Sequence, residues 1–136
     1  MDFRDYLRHH RDPLVIPLIL QQVVQGLIQL HSLGYIHRDL KPENILLNLD
    51  PLEVRITDFT TSTPTTQKYT GSIKGSPGYM LNQVLWRDGI PSWDLYSLGV
   101  IILESVMPKD WIFTIKTHKQ FLRSVVDHIF KEDCNP

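Results

Sequence analysis

Cysteine is nearly missing from this 136-residue chain, and its single thiol, Cys134, cannot form an internal disulfide. That removes the usual staple of small secreted domains. Long apolar runs are missing too. The two longest, Leu14–Leu20 and Leu98–Leu103, are broken by Pro17 and Gly99 and fall well short of the ~20 residues that cross a bilayer. Charge of one sign is also lacking: 14 Lys and Arg stand against 15 Asp and Glu, a formal net charge of −1. No broad basic field recommends a nucleic acid or a membrane surface as partner. The opening Met1–Asp5 carries acid and base and has no apolar signal core. The expectation is a cytoplasmic or nuclear protein, with neither nucleic acid nor membrane as its partner.

What is present is ordinary globular material. Hydrophobic residues make up 42% and charged residues 21%, enough for one domain with a buried core. Leu20, Val23, Val24, Leu27 and Leu30 recur at helical spacing, with Gln21, Gln22, Gln25 and Gln29 opposite. Pro17 suits the first turn of that helix and Gly34 its end. Asn44–Leu47 and Val54–Thr57 read as a small antiparallel pair around the turn residues 48–51. Residues 60–78 are rich in Thr, Ser, Gly and Pro and predict a long loop. A second helix is predicted over about 94–106, with Leu95, Leu98, Ile101, Ile102 and Ser105 on one side and Pro108 beyond it. A third is predicted over 118–131, carrying Phe121, Leu122, Val125, Val126, Ile129 and Phe130. The fold class expected is α+β and mostly α-helical, with a small β-hairpin element.

The chemistry concentrates in His37-Arg38-Asp39-Leu40-Lys41-Pro42-Glu43-Asn44, a loop between a helix and a strand. Phosphoryl transfer needs a carboxylate near the attacking hydroxyl, a cation on the moving phosphate and oxygen ligands for magnesium. Eight residues supply all three. A second carboxylate follows in Asp58-Phe59, 19 residues beyond Asp39.

This run resembles the catalytic loop of protein kinases, and its Lys-Pro-Glu-Asn filling resembles the serine/threonine branch. The resemblance implies ATP- and Mg²⁺-dependent phosphorylation of a protein substrate, or otherwise binding to a regulatory protein partner. It implies Asp39 as the base, Lys41 on the transferred phosphate, and Asn44 with Asp58 on Mg²⁺. Gly75–Met80 is similar to the stretch that closes the activation segment (58–83), and Ser76 falls where the family places a hydroxyl on the catalytic aspartate. Asp94–Val100 is similar to the start of the central helix, whose first aspartate braces the catalytic loop. Phe3–Leu7 is similar to the helix just after the hinge between the lobes. Arg38 resembles the arginine that receives a phosphorylated activation loop. Thr65, Thr66, Tyr69, Thr70 and Ser72 could carry that phosphate, or could form a solvated hydroxyl-rich loop.

Four departures qualify the match. No Gly-x-Gly run and no Val-Ala-x-Lys occurs in the 136 residues, so the expectation is a partial kinase domain over 1–136. It would be the large lobe without the small one, inactive or weak by itself, or a pseudokinase acting as a binding scaffold. Thr60 replaces the glycine of Asp-Phe-Gly, at a cost of about 1–2 kcal/mol if a positive φ is required there; otherwise the backbone stays where threonine is at ease. Leu81-Asn82-Gln83 stands for Ala-Pro-Glu, which loses a charge. The family's final helices are expected to be missing, so the apolar stripe from Phe121 to Phe130 would lie at the edge of the fold and either pack inward or form an exposed patch. The histidines at 9, 10, 31, 118 and 128 lack metal-ligand spacing and are expected at the surface or in packing roles.

Overall fold

The computed structural model describes residues 1–65, 79 and 92–133, the side chains at 118, 119 and 129–133 excepted. Helix α1 spans Phe3–His9 and starts at Asp2, whose carboxylate accepts the Asp5 amide. Helix α2 spans Ile16–Ser32. Its entry is set by Asp12, whose carbonyl accepts the Val15 and Ile16 amides and whose carboxylate accepts that of Leu14. Pro17 sits in the first turn as predicted. Gly34, at φ +86°, ends the helix in a conformation that an L side chain resists.

The buried stripe of α2 is Ile16, Ile19, Val23 and Leu27, while Val24 is exposed. The stripe is thus rotated from the sequence pattern. Gln22 departs from the solvent face assigned to it: its amide donates to the Leu52 carbonyl and accepts the Val54 amide. Those bonds satisfy the open edge of a strand, which apolar periodicity has no means to register.

Strand β1 is the pair Tyr35–Ile36. Strands β2 (Ile45–Leu49) and β3 (Leu52–Ile56) form the expected antiparallel hairpin, with Ile45 opposite Ile56 and Leu49 opposite Leu52. Strand β4 (Thr63–Pro64) returns to pair with β1, a second small sheet that the sequence pattern missed. Two residues offer too little alternation to be read. The hairpin packs on α2 closely enough that a side chain at Gly26 would meet Ile56 at 3.2 Å.

Helix α3 spans Ser92–Val106 and helix α4 spans His118–Asp133, both close to their predicted bounds. On α3, Leu98, Ile101 and Ser105 are buried as read, but Leu95 and Ile102 are exposed. Two carboxylates, Asp94 and Glu104, take buried positions on it. The stripe of α4 divides: Phe121 is buried and Val125 packs on the core, whereas Leu122 and Val126 face solvent. The core gathers Phe3, Ile19, Val23, Leu27, Leu40, Ile45 and Ile101, each worth ~1.5–3 kcal/mol of burial.

Candidate active site

The loop after α2 is held from beneath by one carboxylate. Asp94, fully buried at the start of α3, accepts the His37 amide on Oδ2 at 2.7 Å and the Arg38 amide on Oδ1 at 2.9 Å. His31, in the last turn of α2, adds its Nε2 to Asp94 Oδ2 at 2.8 Å. Two adjacent amides can converge on one carboxylate only if the chain bends, and Arg38 does so at φ +75°. Such a conformation costs roughly 1–2 kcal/mol in a residue other than glycine. The charge-assisted bonds to Asp94 offset that strain. The Arg38 guanidinium stacks over Trp93 at 4.4 Å from the ring centre. Burial lowers the basicity of this guanidinium, against the pull of Asp94.

His37 joins the two acidic segments. Its Nδ1 lies 3.1 Å from the Asp39 amide and its Nε2 lies 2.8 Å from the Thr57 carbonyl. Both contacts are satisfied by a neutral ring that accepts at Nδ1 and donates at Nε2. Asp39 and Asp58 are therefore spaced by a buried imidazole. Around Asp39, Lys41 Nζ stands 3.7 Å from Oδ2, and the Asn44 amide nitrogen donates to the Asp39 carbonyl at 2.8 Å. The last bond leaves the Asn44 Oδ1 as that side chain's acceptor. Leu40 is buried beneath the loop.

Asp58 follows β3 and carries a positive φ of 60°. Thr60 is not among the residues of positive φ, so the strain foreseen for a threonine in glycine's place does not arise there. Thr60 instead folds back, its hydroxyl donating to Asp58 Oδ1 at 2.7 Å and its amide reaching the same oxygen at 3.4 Å. These hydrogen bonds hold the Asp58 carboxyl below the usual carboxylate range, with a further pull from Lys41. The neighbouring Phe59 sets its ring edge-on to His37 at 5.1 Å.

One cluster escaped the sequence reading. Arg4 of α1, itself buried, makes an ion pair with buried Glu104 at 2.8 Å and reaches Glu43 at 3.3 Å. The Tyr79 hydroxyl lies against the Arg4 guanidinium and donates to Glu104 at 2.7 Å. Burial pushes the Glu104 carboxyl up, outweighing the hydrogen bonds from Arg4 and Tyr79. The cluster ties α1, the turn at Pro42–Asn44, Tyr79 and α3 together. Arg4 and Glu104 lie on different helices, so no local pattern in the sequence links them.

The protein kinase domain family matches residues 3–134. The chain belongs to that family. Mitogen-activated protein kinase p38a of Drosophila melanogaster is 38% identical over 95 residues, 67% of this chain and 25% of that protein. Serine/threonine-protein kinase pakH of Dictyostelium discoideum is 43% identical over 94 residues, 65% of this chain and 18% of its own length. Serine/threonine-protein kinase PknA of Mycobacterium tuberculosis is 38% identical over 109 residues, 76% of this chain and 23% of its own. The chain thus spans a quarter or less of these three relatives. The kinase resemblance drawn from His37–Asn44 holds, and two of these relatives, pakH and PknA, are serine/threonine-protein kinases.

Kinases use ATP with Mg²⁺. The donor set here fits that ion: Asn44 and Asp58 offer hard oxygens, and Asp58 is favoured in its ionised form. Among the described residues no group of three or more His, Cys, Asp or Glu converges as a metal cage. No described helix is long and apolar enough to cross a membrane. Ser76, Gln83, Thr66, Tyr69, Thr70 and Ser72 lie outside the described residues. Thr65 donates its amide to the Gly34 carbonyl at 2.8 Å.

Proposed function

We propose that this chain is the large lobe of a serine/threonine protein kinase domain and carries its catalytic loop and metal-binding residues. Asp39 accepts the proton of a substrate Ser or Thr hydroxyl as that oxygen bonds to the γ-phosphorus of ATP, and the bond to the β–γ bridging oxygen breaks to release ADP. Lys41 steadies the transferred phosphate. Asn44 and Asp58 would hold Mg²⁺, which neutralises charge on the phosphate oxygens when bound. Arg38 and Ser76 contribute on the substrate and regulatory side. The observation that carries this reading is the His37 bridge, which fixes the Asp39 amide and the carbonyl before Asp58 to one ring.

Because the 136 residues contain no Gly-x-Gly run and no Val-Ala-x-Lys, turnover on this reading requires those elements from elsewhere in the polypeptide. The 136 residues alone would transfer phosphate weakly or not at all. A second reading, a scaffold that binds another protein, is favoured by one feature. Half-exposed Phe59 lines an apolar cleft of about 350 Å³ with Gly26, Leu30, Leu33 and Ile56.

Nucleotide-dependent stabilisation separates the two. A kinase lobe at one hundred times its Kd for Mg·ATP gains about 2.7 kcal/mol and melts later. Asp58→Ala should abolish the shift, and a shift that survives it removes Asp58 from the metal site. Absence of any shift in the unaltered protein favours the scaffold.

A further inference from the structure

We propose that Thr60 is a positioning residue that restricts Asp58 to one-oxygen coordination and thereby biases the site toward Mg²⁺ over Ca²⁺. The inference rests on the assignment of Asp58 to the metal. A carboxylate has about four lone-pair sites, two on each oxygen. Both donors of Thr60, hydroxyl at 2.7 Å and amide at 3.4 Å, fall on Oδ1. Oδ2 is then the oxygen left open to a cation. The clamp also fixes the side-chain rotamer of a residue already held at φ 60°.

The two cations answer differently to that restriction. Mg²⁺ demands near-octahedral geometry and takes carboxylates through single oxygens, keeping several waters. Ca²⁺ fills six to eight positions and readily takes both oxygens of one carboxylate. A hydroxyl that occupies Oδ1 removes the second tooth from Asp58 and so disfavours the larger ion. Threonine in glycine's place is then a source of selectivity, and its β-branch narrows the rotamers from which the hydroxyl can reach back.

The test uses Mn²⁺ with a non-hydrolysable ATP analogue as the probe, read by water-proton relaxation while Mg²⁺ or Ca²⁺ displaces it from the protein-bound complex. Three variants are compared with the unaltered protein: Thr60→Val keeps the shape and loses the hydroxyl, Thr60→Ser restores the hydroxyl, and Asp58→Asn removes the ligand. With Thr60→Val, Ca²⁺ should gain on Mg²⁺ by about tenfold, the lower end of what partners of metal ligands control. Thr60→Ser should return the ratio to that of the unaltered protein. An unchanged ratio in Thr60→Val, with probe binding lost in Asp58→Asn, overturns the role of Thr60 alone. Probe binding that persists in Asp58→Asn overturns the metal assignment and this inference together.

Discussion

Replacing Asp94 with asparagine should destabilise the protein by about 3 kcal/mol and loosen the loop that begins at His37 specifically. The carboxylate accepts two backbone amides and one imidazole, and asparagine offers one oxygen and one amino group in their place. If the amino group takes the Oδ1 position, the Arg38 amide faces a donor. If it takes the Oδ2 position, His31 can change tautomer and accept, but the His37 amide is left facing a donor. Either way one buried N–H loses its acceptor, at about 1–3 kcal/mol, and the surviving bonds lose their charge assistance, at roughly 1 kcal/mol each. Relief of the buried charge returns part of this, which brings the expected total to about 3. Urea unfolding measures the loss, and amide hydrogen exchange locates it. The His37 and Arg38 amides should lose protection beyond the global change. A loss under ~1 kcal/mol with those two amides still protected would refute the argument that Asp94 holds the loop.

Further outcomes follow from the same structure. Arg4→Met leaves Glu104 buried without its cation and should cost about 3–5 kcal/mol in urea unfolding; adding Glu104→Gln should recover more than half of it. Because the folded Glu104 carboxyl is raised by burial, the folded state binds that proton more readily than the unfolded chain. Its stabilising contribution is therefore full below the ordinary glutamate value of about 4.3 and is lost as pH rises through the raised value. The difference in urea midpoint between the protein and Glu104→Gln, followed against pH, should fall across that window and be flat above it. Gly34→Ala meets no atom within 4 Å, so its cost, ~1 kcal/mol by denaturation, should be the backbone strain of a positive φ alone. In a polypeptide that also supplies the ATP-gripping elements, Asp39→Asn should slow phosphoryl transfer at least ~100-fold in a radiolabel assay.

Much of this protein was legible in one dimension because its signals are local. A helix declares itself over a few turns, and the hairpin of β2 and β3 is bounded by its own turn residues. The family resemblance rests on a contiguous run of eight residues, His37–Asn44, which needs no distant partner to be read. Even the bracing role of Asp94 was open to resemblance. Other features depend on which donor meets which acceptor across the fold. His31 reads as a surface or packing histidine until α2 and α3 bring it to Asp94, 63 positions away. Gln22 belongs by periodicity to the solvent face, and only the docking of β3 gives its amide two backbone partners. Arg4 and Glu104 sit on different helices, and only tertiary packing makes them a buried pair. Thr60 shows the limit most directly. The sequence established that threonine replaced glycine, but the placement of the positive φ at Asp58 decided that the replacement would not strain the backbone. Composition and periodicity fix which residues seek burial and which carry charge; hydrogen bonds are short and directional, so their partners are settled only when the chain has folded.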